Sequence, residues 1–192
     1  VLMTGLPTYE NRECWDEFRK VYNEVHNGGL VQYQRRLLEK FNYPIPENIS
    51  TVITSPHLNI YQYPEELDYH DVITIPENYV RVDAFCREEL GEFKIPESLQ
   101  SKMKPGDKLI YFSLGSIGTS DVKLMRRVIA ILAKTPHFYI VSKGLFHDEI
   151  ELADNMWGDR YVPQTKILPL VDMAIIHGGN NSLTEAISFG NS

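Results

Sequence analysis

The second half of the chain alternates apolar runs with helical patterns, and this alternation restricts the fold more than any other feature. The runs are "KLIYFSLGS" (108–116), "HFYIVS" (137–142) and "DMAIIH" (172–177). Helical periodicity follows the first run in "TSDVKLMRRVIAILAK" and the third in "NSLTEAISFG". Strands that are apolar throughout and alternate with helices are typical of parallel sheets covered on both faces. The sequence therefore predicts an α/β fold with a Rossmann-like parallel sheet.

The first half predicts a different organisation. Apolar residues at three- and four-residue steps predict helices over 11–26 and from about residue 30 through "YQRRLLEKF", and "STVIT", "HLNIYQY" and "DVITIP" read as short strands. The charged segment 81–107 contains Pro96, Pro105 and Gly106 and is typical of a linker. We therefore expect a partial domain over 1–80, a linker over 81–107 and a second domain over 108–192.

The composition excludes several classes of function. With 192 residues, 43% of them hydrophobic, the chain is long enough for a globular core. Its net charge of -7 argues against nucleic acid as a partner. Cys14 and Cys86 have no metal-ligand spacing, so neither a metal site nor a disulfide framework is predicted. No apolar run is long enough to cross a bilayer, so no membrane segment is predicted.

Two glycine-containing turns are candidate ligand sites. In parallel α/β sheets, ligands bind at the carboxyl ends of strands, where the amides at a helix N-terminus favour an anion. "SLGSIGTS" (113–120) and "HGGNNS" (177–182) follow predicted strands, and both fit a diphosphate. A purely structural alternative exists for each. "SLTE" (182–185) matches a capping box, in which Ser182 and Glu185 satisfy only their own helix, and "SLGSIG" is an ordinary strand-to-helix turn.

The segment "YVPQTKILPLVDMAIIHGGNNSLTEAISFG" (161–190) favours the ligand reading. It resembles the nucleotide-sugar signature of the UDP-glycosyltransferases, the family-1 glycosyltransferases of GT-B fold, whose pattern is roughly WxPQxxIL, a strand, then HxGxNSxxE. "LIYFSLGS" resembles the strand and turn that open the donor-binding domain of the same family. "LEKFNYPIPE" and "LNIYQYPEELDY" look more weakly like the end of its acceptor-side domain. The likeness is strong over about 107–192.

The resemblance implies a role for each matched residue of a UDP-sugar site. Tyr161 stands where the family usually has a tryptophan that stacks on uracil. Val162 would offer backbone groups to the base edge, and Gln164 would reach the base or the ribose. Glu185 would accept hydrogen bonds from the ribose hydroxyls. The diphosphate would be bound by residues of the two turns: Ser116, His177, Gly179, Asn181 and Ser182.

The resemblance also implies an activity, namely inverting, metal-independent transfer of a sugar, usually glucose, from UDP to a small lipophilic acceptor. The UDP-sugar is a co-substrate, and no other cofactor is implied. The family's Asp/Gln pair that grips the sugar would follow "FGNS", and its general-base histidine would precede Val1. No catalytic base is therefore assigned, and only His177 of the six histidines falls on a family position. We expect this chain to be a fragment of such an enzyme.

Two alternatives stay open at this point. The chain could be a truncated or degenerate nucleotide-binding module that does not turn over. A dinucleotide-dependent oxidoreductase is less favoured, because no GxGxxG follows a first strand with an acidic residue about twenty positions later. The run "DEIELAD" (148–154) is interpreted as a solvated helix face. A cytoplasmic monomer is the default expectation, and a full-length parent in the endoplasmic reticulum membrane is the alternative location.

Overall fold

The computed structural model describes Lys20, Gly29 and residues 31–45, 55–68, 75–83 and 85–190. The chain divides into two compact units, Val1–Val82 and Asp83–Ser192. The predicted strand over 50–54 lies outside the described residues, as do most of the predicted helix over 11–26 and of the strand over 71–76. The three predicted domain ranges stay predictions.

The first unit contains a helix and a pair of parallel strands within the described residues. Helix α1 (Val31–Lys40) confirms the periodicity of "YQRRLLEKF". Strand β1 (Asn59–Gln62) lies in the predicted strand "HLNIYQY". Strand β2 (Tyr79–Val82) is parallel to it, and each of its four residues pairs with one residue of β1. Strand β2 was not predicted, because four residues that include Arg81 give too short an apolar pattern.

The second unit is built on a parallel sheet, as the sequence predicts. Its described residues form four strands in the order β5-β4-β3-β6. Strands β3 (Leu109–Ser113), β4 (Phe138–Ser142) and β6 (Met173–Ile176) confirm the three apolar runs. Strand β5 (Met156–Asp159) was not predicted. Every neighbouring pair is parallel, which confirms the α/β fold class.

Helices connect these strands. The sequence predicts the two longest, α4 (Val122–Leu132) and α6 (Asn180–Ser188). Helix α4 begins at an Asp121 cap, whose side chain accepts a hydrogen bond from the Leu124 amide over 2.9 Å. Three single-turn helices are α2 (Glu97–Gln100), α3 (Gly115–Gly118) and α5 (Gln164–Ile167).

The apolar runs are continuous because the sheet is buried on both faces. Alternate residues of β3 enter different hydrophobic clusters: Leu109 and Tyr111 lie in one, and Ile110 and Phe112 lie in the other. The second cluster also contains Met125 and Ile129 of α4, and the first contains Ala186 of α6. The sheet is therefore the middle layer between two cores, and its carboxyl edge is held by packing on both sides.

The interpretation of residues 148–154 as a solvated helix face is wrong. A 3-10 turn covers His147–Glu149, and the chain beyond it is irregular until β5. Ile150 is only 1% exposed and Leu152 packs against the second cluster, whereas Glu151 between them is exposed. The apolar residues thus alternate with acidic ones at the period of extended chain, and burial of the apolar members determines the conformation.

The segment 85–107 belongs to the second unit and packs against its first hydrophobic cluster. Leu99 is 1% exposed and belongs to the first cluster, and Phe93, Ile95 and Met103 pack against that cluster. The Phe93 and Trp157 rings lie 5.7 Å apart between centroids. The segment therefore contributes side chains to the core of the second unit, and it reaches the candidate site described next.

Candidate functional site

The two predicted turns lie side by side at the carboxyl edge of the sheet. Strands β3 and β6 are direct neighbours, and their last paired residues are Ser113 and Ile176. The turn "SLGSIG" leaves β3 and the turn "HGGNN" leaves β6, so both emerge at the same place. Two sets of backbone amides at adjacent helix starts can converge on one ligand.

The His177 ring lies against a glycine of each turn. A Cβ atom added to Gly115 would be 2.4 Å from His177 Cε1, and one added to Gly179 would be 2.3 Å from His177 Nε2. Gly115 also has φ of +67°, which side-chain-bearing residues rarely adopt. Glycine at both positions is therefore a steric requirement for the histidine. His177 is itself exposed, so its ring is open to a ligand.

Helix α6 begins without a side-chain cap of its own. Its N-cap is Gly179, with φ of −64° and ψ of 138°, and this residue has no side chain that could accept a hydrogen bond from the first turn. Asn181 is exposed and Ser182 half-buried in the first turn. The capping-box alternative for Ser182 and Glu185 is wrong, because both side chains bond elsewhere. The first amides and the positive end of the helix dipole are suited to an anion.

Gln164 is the centre of a buried polar network. It is 5% exposed, and its Oε1 accepts a hydrogen bond from Tyr111 Oη over 2.9 Å. Its Nε2 donates to Glu185 Oε2 over 2.5 Å and to Ser182 Oγ over 3.3 Å. Burial is the main cause that raises the pKa of the Tyr111 hydroxyl to about 12, so it stays a donor. The network links β3, α5 and α6 and fixes the Glu185 carboxylate, which is 2% exposed.

Tyr161 presents an exposed ring whose hydroxyl is anchored. The residue is 61% exposed, and its hydroxyl donates to Glu89 Oε1. That hydrogen bond is the main cause that raises the pKa of the Tyr161 phenol. The adjacent Val162 is 2% exposed, with its side chain in the first cluster. Because Val162 is buried and the neighbouring Tyr161 ring is exposed, the backbone that joins them lies at the boundary between the first cluster and the solvent.

Ser116 lies at the other margin of the site. It is exposed, in the first turn after β3, directly after the Gly115 that contacts His177. The structure therefore brings the β3 turn, His177 and the start of α6 together at one edge. It brings Gln164, Ser182 and Glu185 together through the buried network. The ligand roles that the resemblance implies for these side chains stay predictions.

Sequence reasoning missed Arg87 and Glu89, which lie beside Tyr161. Glu89 Oε2 accepts from the Thr165 amide over 3.0 Å and from Thr165 Oγ1 over 2.9 Å. The Arg87 guanidinium carbon lies 6.0 Å from the centroid of the Tyr161 ring. Both charged residues were assigned to a linker, and the chain separation of more than 70 residues leaves no periodic signal that could have found them.

Two searches of the described ranges bear on other classes of function. Among residues 31–45, 55–68, 75–83 and 85–190, no group of three His, Cys, Asp or Glu side chains could hold a metal ion. Over that same part of the chain, no helix combines the length and the apolarity needed to cross a bilayer. The cytoplasmic location stays a prediction.

Comparisons with known proteins point to one class of enzyme. No known family model matches the chain. A sterol 3-beta-glucosyltransferase of Saccharomyces cerevisiae (strain YJM789) is 26% identical over 181 residues, which cover 86% of this chain and 14% of that protein. A sterol 3-beta-glucosyltransferase of Candida albicans (strain SC5314) is 26% identical over 159 residues, or 76% of this chain and 10% of that protein. The chain thus spans about one seventh or less of the length of these relatives.

A solved structure shows the same fold. The calicheamicin glycosyltransferase superposes with a TM-score of 0.52 at 19% identity, over 97% of this chain and 47% of that protein. The likeness includes the parallel sheet from which the two glycine turns emerge. The relatives and the fold together show that this chain is similar to glycosyltransferases of GT-B fold, the class that its signature residues resemble.

Proposed function

We propose that the second unit binds the donor of a glycosyltransferase that moves glucose from UDP-glucose to the hydroxyl of a sterol-like lipid, with inversion and without a metal ion. The placement of His177 between Gly115 and Gly179 carries the proposal. It puts an imidazole N–H donor at the point where two turns and a helix N-terminus converge. That combination suits the diphosphate of a nucleotide sugar.

The nucleoside would lie on the other side of the same edge. Tyr161 offers an exposed aromatic face for the base, and the carboxylate of Glu185 is oriented by Gln164 for the ribose hydroxyls. A carboxylate only accepts hydrogen bonds, so it suits a diol and disfavours a phosphate. The site thus has an anion-binding end at His177 and a hydroxyl-binding end at Glu185.

The anion-binding end also explains how the site would accelerate transfer. The acceptor oxygen forms a bond to the anomeric carbon while the bond from that carbon to the UDP oxygen breaks, and the acceptor hydroxyl gives its proton to a general base, a role to which no residue of this chain is assigned. Negative charge therefore increases on UDP in the transition state. Preorganised donors from His177, Asn181 and the start of α6 stabilise that charge more strongly than they stabilise the ground state.

The acceptor class follows from the relatives. Both proteins named above are sterol 3-beta-glucosyltransferases, so the proposed acceptor is the 3β-hydroxyl of a sterol, within the class of small lipophilic acceptors. The donor-binding and acceptor-binding parts of the proposal are separate and need separate experiments.

Calorimetry tests the donor part. UDP and UDP-glucose are titrated into the wild-type chain and into His177→Ala. We expect saturable binding that the substitution weakens by about 1.5–3 kcal/mol, the range for a lost hydrogen bond to a charged group. Equal affinity of the two proteins for UDP would refute the diphosphate role of His177.

Transfer of labelled glucose from UDP-glucose to cholesterol, measured with a full-length parent enzyme that contains this chain, tests the acceptor part. A glucosylated sterol, absent with His177→Ala, is the expected product. Donor binding without any transfer to a sterol would favour the alternative, a nucleotide-binding module that does not turn over.

A further inference from the structure

An arginine lies beside the proposed nucleoside site without any role in the family resemblance. The Arg87 side chain is 52% exposed, and its guanidinium carbon is 6.0 Å from the Tyr161 ring centroid. Its Nε lies 3.5 Å from Glu89 Oε1 and 3.7 Å from Glu185 Oε1. Arg87 therefore contacts the two residues proposed for the base and for the ribose.

The two carboxylates hold the guanidinium in place. The side chains of Glu89 and Glu185 are only 9% and 3% exposed. Glu89 is fixed by Thr165 and Tyr161, and Glu185 is fixed by Gln164. Ion pairs of a half-exposed arginine with buried, hydrogen-bonded carboxylates restrict its position more than a surface pair does. The two carboxylates therefore fix the position of the Arg87 side chain in the site.

The outer end of the guanidinium is available to a ligand. Both ion pairs are made from Nε, and within the described residues neither Nη atom makes a hydrogen bond. An arginine fork offers planar, charged donors that suit carbonyl, carboxylate and phosphate oxygens. Here these donors lie next to an exposed aromatic ring.

We propose that Arg87 is a further binding residue of the donor site, whose Nη groups donate to a carbonyl oxygen of the pyrimidine base that lies on Tyr161. This inference rests on the proposed function. A base is favoured over the diphosphate because the contacts of Arg87 are with Tyr161 and Glu185, whereas the diphosphate residues lie at His177 and Gly179. The charged segment 85–90 thereby becomes part of the nucleotide site.

Two other roles for Arg87 make different predictions. If Arg87 acted only through its charge, its loss would weaken binding of UDP and leave binding of uncharged uridine unchanged. If the guanidinium blocked the ring face, its loss would tighten binding of both ligands. A direct contact with the base predicts an equal loss for both.

The experiment compares the affinities for UDP and for uridine, with uridine measured by competition. The variants are Arg87→Gln, Arg87→Lys and a control, Arg127→Gln, which removes the same charge from an exposed position on α4. We expect Arg87→Gln to weaken both ligands by the same factor, roughly 3- to 10-fold for one lost hydrogen bond. Arg87→Lys keeps the charge beside Glu89 but removes the fork, so a similar loss is expected. The control should bind as the wild type does.

Several results would overturn the inference. They are unchanged binding in both Arg87 variants, a loss confined to UDP, or tighter binding. Thermal unfolding of each variant is measured first, and the lysine variant decides the question if the glutamine variant does not fold. If the wild-type chain does not bind UDP, both the proposed function and this inference are overturned. If the wild type binds UDP and the Arg87 variants bind it with the same affinity, only this inference is overturned.

Discussion

A methyl group at position 115 should damage the site through His177. In Gly115→Ala the new Cβ would lie 2.4 Å from His177 Cε1 and 2.8 Å from Nε2, so the ring must move. The backbone cannot relieve the overlap easily, because Gly115 has φ of +67°. We expect the displaced imidazole to lose its hydrogen bond to the UDP diphosphate.

The expected magnitude has two separate parts. Placing alanine at this φ should reduce the free energy of unfolding by about 1–2 kcal/mol. Loss of the His177 hydrogen bond to a charged group should reduce UDP affinity by about 1.5–3 kcal/mol, or roughly 10- to 150-fold in Kd. The first part is measured by urea denaturation and the second by calorimetry.

A matched control separates strain from displacement of the histidine. Gly190 has φ of +71°, and a Cβ there would meet nothing within 4 Å. Gly190→Ala should therefore lose similar stability and bind UDP as the wild type does. If it lost as much affinity as Gly115→Ala, backbone strain rather than His177 would account for the effect.

The double variant Gly115→Ala/His177→Ala gives the strictest test. If the methyl group acts through the imidazole, it has no further effect on affinity once the imidazole is gone, and the two losses are not additive. Losses that add, or wild-type affinity in Gly115→Ala, would refute the reasoning.

Three further predictions concern the framework of the site. Met125→Ala empties a position that is 0% exposed and should lower the free energy of unfolding by about 2–5 kcal/mol in urea denaturation. Gln164→Ala leaves the buried Tyr111 hydroxyl without its acceptor and should cost about 1–3 kcal/mol in the same assay. Hydrogen bonding to Lys108 is the main cause that lowers the pKa of Asp172. The stability from this lowered pKa is present above the ordinary Asp pKa and is lost as the pH falls through the folded value. Asp172→Asn should therefore be less stable than wild type at pH 7, with a difference that narrows towards pH 3 in thermal unfolding.

Burial on both faces made much of the sheet predictable. Strands β3, β4 and β6 have uninterrupted apolar runs because successive residues enter opposite cores. Strand β5 contains Trp157, Gly158 and Asp159, so its four residues carry no such run. Gly158 is required because a Cβ there would lie 2.2 Å from the Val141 carbonyl oxygen of β4. That requirement comes from the neighbouring strand and cannot be read from local periodicity.

The site shows how tertiary contacts override a local pattern. "SLTE" has the spacing of a capping box, yet Ser182 and Glu185 bond to Gln164, which lies 18 and 21 residues earlier. Gln164 is fixed in turn by Tyr111, 53 residues before it. Rules based on local residue spacing cannot detect contacts over such separations, whereas the family signature includes the residues that make these contacts. The resemblance could therefore select these residues as site candidates where local pattern favoured a simple cap.

The distribution of charge in the proposed site favours one orientation of a bound nucleotide sugar. At the nucleoside end, Glu89 and Glu185 carry two negative charges against one positive charge on Arg87. At the other end, His177 and the N-terminus of α6 are suited to an anion. A diphosphate is repelled by the first end and attracted to the second, whereas ribose hydroxyls can donate to the carboxylates. In the proposed binding mode, a nucleotide sugar would therefore have one favourable orientation, with its base at Tyr161 and its leaving group against the amides of the α6 N-terminus.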